Sequence, residues 1–223
     1  MRYVFQFGVV WDHLGTLVAG ALATLWMSCL AMICGLAIGI VGAFLRKAGP
    51  RPVQWLVAAY VEFFRNTPLL VQLFILYFSL PAIGVRLEAE TAAIVGLSIN
   101  LGAYATEIIR AGIEAVPQGQ IEAGRALGLT RLQIFGLIVL HPALKGIYPA
   151  LASQFVIMML GSSIVSAISA TELTAVTNSL QSTTFRAFEF YFVATAMYLA
   201  MALAVRFVLA GIYWFVFARG RPA

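Results

Sequence analysis

From Leu14 to Leu45 the sequence carries no charged residue. About 20 apolar residues of helix cross the hydrocarbon core of a bilayer, and this run is longer than that. Once in lipid, a segment must satisfy its backbone polar groups internally, and an unbroken apolar run does so as a helix. The run also exceeds the roughly 7–15 apolar residues of a cleaved leader, so it reads as a tilted span and not as a signal peptide. The rest of the chain agrees: 62% of its 223 residues are hydrophobic and 10% are charged, against about 25% charged in soluble domains.

Four further apolar stretches lie at 53–81, 91–111, 146–168 and 189–217. The expected fold is therefore an all-α membrane protein of five spans, with 1–223 forming one domain. Residues 1–13 are a short amphipathic lead-in. The first span is rich in glycine (Gly20, Gly35, Gly39, Gly42), which lets helices approach closely in lipid. Cys29 and Cys34 fall inside it and are expected as small buried apolar residues. Residues 169–188 are rich in Thr and Ser and read as an outer loop with room for a short helix. No repeat of solenoid length is visible.

Cationic residues set the orientation. With the 117–145 loop inside, inner segments hold Arg46, Lys47, Arg51, Arg110, Arg125, Arg131, Lys145, Arg219 and Arg221, while outer ones hold Arg2, Arg86 and Arg186. The bias predicts an outer N-terminus and an inner C-terminus, with Tyr213, Trp214 and Phe217 at the inner interface. The net charge of +5 thus reflects topology and gives no reason to expect a nucleic-acid partner.

The long polar-patterned segment, Pro117 to Lys145, reads as two short amphipathic helices. Pro117 suits a first turn, Gly128 a left-handed C-terminal residue and Thr130 the next N-cap. Such a helix–glycine–helix between two spans lies at the membrane surface, where another protein can grip it. Its residues also carry a resemblance. Glu122-Ala123-Gly124, then Gly128, Ile138 and Leu140, resemble the EAA loop of bacterial ABC-importer permeases, E-A-A-x3-G-x9-I-x-L-P. Gly124 replaces the second Ala, and the Pro comes one residue late, as Pro142. The stretches Tyr60 to Pro81 and Leu101 to Gly128 are similar to permeases of the polar amino-acid family.

That resemblance implies a transport subunit whose coupling helix, bearing Glu122, Ala123, Gly124 and Gly128, sits in a groove of a cytoplasmic ATP-binding cassette subunit. It further implies a bacterial inner-membrane location, a second permease subunit of the same or a sister chain, a solute-binding protein and an amino-acid substrate. ATP and Mg would be bound by the partner. Where the family usually has K-[DN]-[ST]-S, this chain has Leu160-Gly161-Ser162-Ser163, so a charge preference for the substrate does not carry over.

Catalytic chemistry has no support in the residues. The two lysines, Lys47 and Lys145, lie in no phosphate-loop frame. The two histidines offer no metal spacing, and no nucleophile–base set is present, so a membrane enzyme is the least favoured class. Rival functions are a permease for another small solute, such as an opine or cystine, and an ATPase-independent channel or scaffold.

The expected pathway centres on Asn66-Thr67-Pro68, because Pro breaks the second span and frees backbone groups. An α-amino group can meet carbonyls near Arg65 and Asn66, and an α-carboxylate the helix start at Thr67. Gln72, Asn100, Tyr104, Ser162 and Ser163 are candidates to line the same cavity; interhelical glue is the alternative for Asn100 and the serines. Glu62 with Arg65, and Glu107 with Arg110, are spaced to pair on one helical face. Such intramembrane charges serve either as structural ion pairs or as a gate.

Overall fold

The computed structural model describes residues 3–218; the expectations for Arg2, Arg219 and Arg221 fall outside them. Among the described residues there is no strand. The helices are α1 (Gly8–Asp12), α2 (Leu14–Ala48), α3 (Arg51–Arg65), α4 (Leu69–Phe74), α5 (Ala89–Glu114), α6 (Gln118–Ala126), α7 (Arg131–Gln133), α8 (Leu140–Gly161), α9 (Leu173–Thr184) and α10 (Ala187–Tyr213). Four stretches are long and apolar enough to cross a membrane: Leu14–Ala48, Ala89–Glu114, Arg131–Ile168 and Ala187–Phe217. A fifth forms if Arg51–Arg65 and Leu69–Ile83 are one span, bent by 108° at the break.

The centre of the molecule is the pair α2 and α5, which touch along most of their lengths. Gly39 and Gly42 set the approach: a Cβ on either would collide with Ala105 or Thr106 of α5. Small residues at such a seam let dispersion contacts form where no hydrophobic drive exists between helices in lipid. Around this pair α4 and the 3₁₀ turn Ser162–Ile168 close one apolar core, with Met27, Leu73, Leu97, Leu101 and Val165. A second core joins α1, α2, α8, α9 and α10 through Val10, Leu17, Met159, Leu173 and Phe190.

Three expectations need correcting. Cys29 and Cys34 are exposed on α2. Only the small-residue stripe of that helix packs inward, and its other faces are left for lipid or a partner. The fourth helix starts at Arg131, well before 146, and runs without interruption to Ile168. Its polar residues and Pro142 interrupt the apolar run but not the helix, because a π turn over Ile134–Val139 precedes the proline and the ladder is already widened there. The second short helix expected in 117–145 is therefore the first part of this long one. Finally, Glu62 does not pair with Arg65; their contacts are described below.

The 169–188 segment holds α9. Glu172 caps it, accepting from Thr174 N at 2.9 Å and Ala175 N at 2.8 Å.

Candidate functional site

The elbow between α5 and the fourth helix is built by local rules. Pro117 precedes α6 with an extended ψ of 130°. At the other end Gly128 has φ +75°. Its N–H donates to Arg125 O at 2.9 Å, and Leu129 N–H donates to Gly124 O at 3.1 Å. These two bonds form a Schellman motif, which needs a left-handed residue at the Gly128 position. Thr130 then opens the next helix with a reciprocal capping box: Gln133 N–H donates to its Oγ1, and Thr130 N–H donates to Gln133 Oε1 at 2.9 Å. Beneath the elbow Val116, Ile121, Leu129, Ile134 and Ile138 make a small core of their own. Both joints are thus fixed by backbone bonds and packing.

Of the four residues expected at the coupling surface, Glu122, Ala123 and Gly128 are exposed and Gly124 is buried. Gly124 faces inward, where a Cβ would lie 2.6 Å from Ile138 Cδ1. It is a packing residue, and the helix can sit close to the fourth helix because it lacks a side chain. Two residues not singled out in the sequence complete the tip: Leu127 is 79% exposed and Leu132 84% exposed. Their signal was two apolar residues flanking a turn glycine. An exposed apolar pair on a polar elbow favours a protein partner.

The second site is the break between α3 and α4. Pro68 removes a donor, and the last carbonyls of α3 lose their helical partners. The freed carbonyls receive side chains instead: Thr67 Oγ1 donates to Phe63 O at 2.7 Å. Glu62 O keeps its backbone partner, Asn66 N–H at 3.1 Å, and also accepts from Asn66 Nδ2 at 2.8 Å. Phe64 O accepts from Gln72 Nε2 at 3.0 Å and from Asn100 Nδ2 at 3.3 Å. Arg65 O accepts from Tyr104 Oη at 3.5 Å. Asn100 Nδ2 also donates to Gln72 Oε1 at 2.9 Å, so α5 and α4 hold the break jointly. Gln72 is buried.

The fold brings Arg65, Asn66, Thr67, Gln72, Asn100 and Tyr104 together, and the Phe64 and Arg65 carbonyls are occupied by side chains in this state. Ser162 and Ser163 share no hydrogen bond with this cluster: their hydroxyls donate to Met159 O at 2.7 Å and Leu160 O at 3.0 Å.

Charged groups gather near the start of the elbow. Arg110 bonds Glu107 through two nitrogens and Glu114 through a third, at 2.5 Å. All three lie on α5, so these ion pairs do not tie helices together, and their partial exposure makes each one weak. Glu62 Oε2 accepts from Asn66 at 2.9 Å, and the Arg65 guanidinium lies 5.4 Å from the Tyr104 ring centre.

Three charged residues escaped the sequence reading. Glu172 is fully buried and accepts from Tyr198 Oη at 2.5 Å besides its capping bonds. Glu189, also fully buried, accepts from Gln6 N–H at 2.9 Å and from Tyr3 Oη, with Arg186 nearby at 3.9 Å. Arg206 lies inside the last apolar stretch.

Long apolar helices, most of them little buried within the chain, with a rigid exposed elbow between two of them and a polar break in another, make a membrane subunit that offers a surface to a protein partner. A family profile for the inner membrane component of binding-protein-dependent transport systems matches residues 35–216, and the chain belongs to that family. It is similar to the glutamine transport system permease protein GlnP of Escherichia coli (strain K12), with 34% identity over 92% of this chain and 94% of that protein. It is also similar to the L-cystine transport system permease protein TcyB of Bacillus subtilis (strain 168), with 38% identity over 69% of this chain and 66% of that protein. Among solved structures, an amino acid ABC transporter crystallised with histidines aligns with a TM-score of 0.90 at 35% identity, covering 96% of this chain and 100% of that one. The MetNI methionine ABC transporter in an inward-facing form shares the fold, with a TM-score of 0.76 at 22% identity, covering 91% and 96%. The chain is thus an inner-membrane ABC permease subunit.

Proposed function

We propose that this subunit forms the translocation pathway of an ATP-driven importer for polar amino acids. A partner ATPase, which binds ATP and Mg, closes on the elbow through Glu122, Ala123 and the Leu127–Gly128 turn. The spans then rock between outward-open and inward-open states, with the N-terminus outside and the C-terminus inside. A second permease subunit and a solute-binding protein complete the assembly. The break cluster of Arg65, Asn66, Thr67, Gln72, Asn100 and Tyr104 lines the path. In that cycle Gln72 and Asn100 exchange their bonds to Phe64 O for bonds to the substrate, which exposes the carbonyl to an amino group.

One observation carries the proposal: the exposed residues of a rigid elbow keep the spacing of the EAA loop, in a chain whose relatives named as amino-acid permeases align over most of its length. The test is reconstitution with the cognate ATPase and solute-binding protein in liposomes. Glu122→Lys and Gly128→Asp are expected to abolish solute-stimulated ATP hydrolysis and uptake while the permease still assembles. If both activities survive in both variants, the coupling role is wrong. If transport proceeds with no ATPase present, the chain is a channel.

A further inference from the structure

A groove of about 410 Å³ runs between α8 and α10, lined among others by Tyr148, Pro149, Ser153, Arg206, Leu209 and Tyr213. Arg206 is the one charged residue in that lining, and it is exposed. Among the described residues the ion pairs use Arg110 and Arg186, and no carboxylate pairs with Arg206. Tyr148 Oη donates to Leu209 O at 2.7 Å and stitches the two helices at this level. A guanidinium inside a membrane stretch is costly unless it meets a counter-charge or the headgroup region.

Depth decides between those outcomes. Helix α10 starts at Ala187, and about 20 residues on, roughly 30 Å, is Arg206. That length matches the hydrocarbon thickness of a bilayer, about 30 Å. The length of α10 thus brings Arg206 near the hydrocarbon–headgroup boundary on the side of the elbow, and the Tyr148 bond to Leu209 brings the α8 wall of the groove to that level. Lys145, one turn before Tyr148, adds a second cation near that level.

We propose that the α8–α10 groove is a binding site for an anionic phospholipid, whose phosphate pairs with Arg206 while an acyl chain lies along the apolar wall. Charge complementarity and depth both point to this occupant: a cation near headgroup level, with Ala152 and Val156 of the α8 wall continuing the groove toward the bilayer interior. The site depends only on the chain crossing a membrane and is independent of which solute is carried.

The experiment uses the full-length chain in its assembled complex, in nanodiscs of phosphatidylglycerol or phosphatidylcholine, with retained lipid read by native mass spectrometry. Phosphatidylglycerol is expected to remain bound to the wild type and phosphatidylcholine is not. Arg206→Gln is expected to weaken retention about fivefold, the effect of one cation near an anionic surface, and Arg206→Lys to keep most of it. Inorganic phosphate added in excess is expected not to displace the lipid. Equal retention in Arg206→Gln, equal binding of the two lipids, or displacement by phosphate overturns the proposal. So does spontaneous disulfide formation between two copies of Ser153→Cys in membranes, which makes the groove a protein interface. If Arg206→Gln fails to assemble, Ser153→Phe fills the groove while keeping the charge, and loss of retained lipid in it is the expected result.

Discussion

At the residue scale, the polar side chains do backbone work. Gln72 and Asn100 together replace the donor that Pro68 lacks, and the Glu172 carboxylate supplies the acceptor for two N–H groups at the start of α9. Each such hydrogen bond contributes about 0.5–1.5 kcal/mol. Gln72→Leu removes the bonds to Phe64 O and from Asn100, leaving that carbonyl the longer Asn100 bond, and is therefore expected to lower the unfolding free energy by about 1–3 kcal/mol in detergent, whereas Thr67→Ser, which keeps its hydroxyl, leaves it nearly unchanged. Glu172→Ala strands two amides and the Tyr198 hydroxyl, and its loss is expected to exceed that of Gln72→Leu; thermal unfolding of both purified variants checks the order.

Sequence located the break residues well, because Asn-Thr-Pro within an apolar run has few other meanings. It missed the bonds that close the break, since which amide reaches Phe64 O depends on where α5 lies. Arg206 escaped for a simpler reason: one charge among many apolar residues does not interrupt a run. Glu172 was hidden in a Thr- and Ser-rich loop whose helix needed α2 and α10 to pack against.

At the element scale, the seam between α2 and α5 is set by the absence of side chains. Gly39→Val forces a methyl group into Ala105, and overpacking of this kind costs about 1–3 kcal/mol. The expected outcome is reduced yield of monodisperse protein, measured by size exclusion, while Gly15→Ala, where the added Cβ meets nothing within 4 Å, is tolerated. Gly128→Ala is expected to cost about 1–2 kcal/mol through its left-handed backbone alone, without a clash, because nothing lies within 4 Å there either. The glycine turn and the capping threonine were legible because both follow from local backbone rules. The start of the fourth helix was not, because hydropathy falls at Arg131 and Lys145 while the helical hydrogen-bond ladder runs on.

For the whole molecule, burial grades from centre to rim. In the most apolar window of α5 56% of residues are buried within the chain, against 11% in that of α10, so α5 is the internal post and α10 the outermost helix. The apolar faces left over need lipid or a second subunit. Cys29 and Cys34 sit on such a face near the middle of α2. In sealed vesicles both are expected to resist a membrane-impermeant maleimide and to react once the membrane is dissolved in denaturing detergent. Rapid labelling in intact vesicles would instead place them on a water-filled surface. Hydropathy located the apolar stretches but not this gradient, because an apolar residue facing lipid and one facing another helix look alike in a sequence.

The unbroken helix from Arg131 to Ile168 has a mechanical consequence. One end is clamped to the elbow and the other reaches the 3₁₀ turn beside α4. A load applied at the elbow therefore travels along a single lever, softened where the π turn, Pro142 and Pro149 loosen its hydrogen-bond ladder.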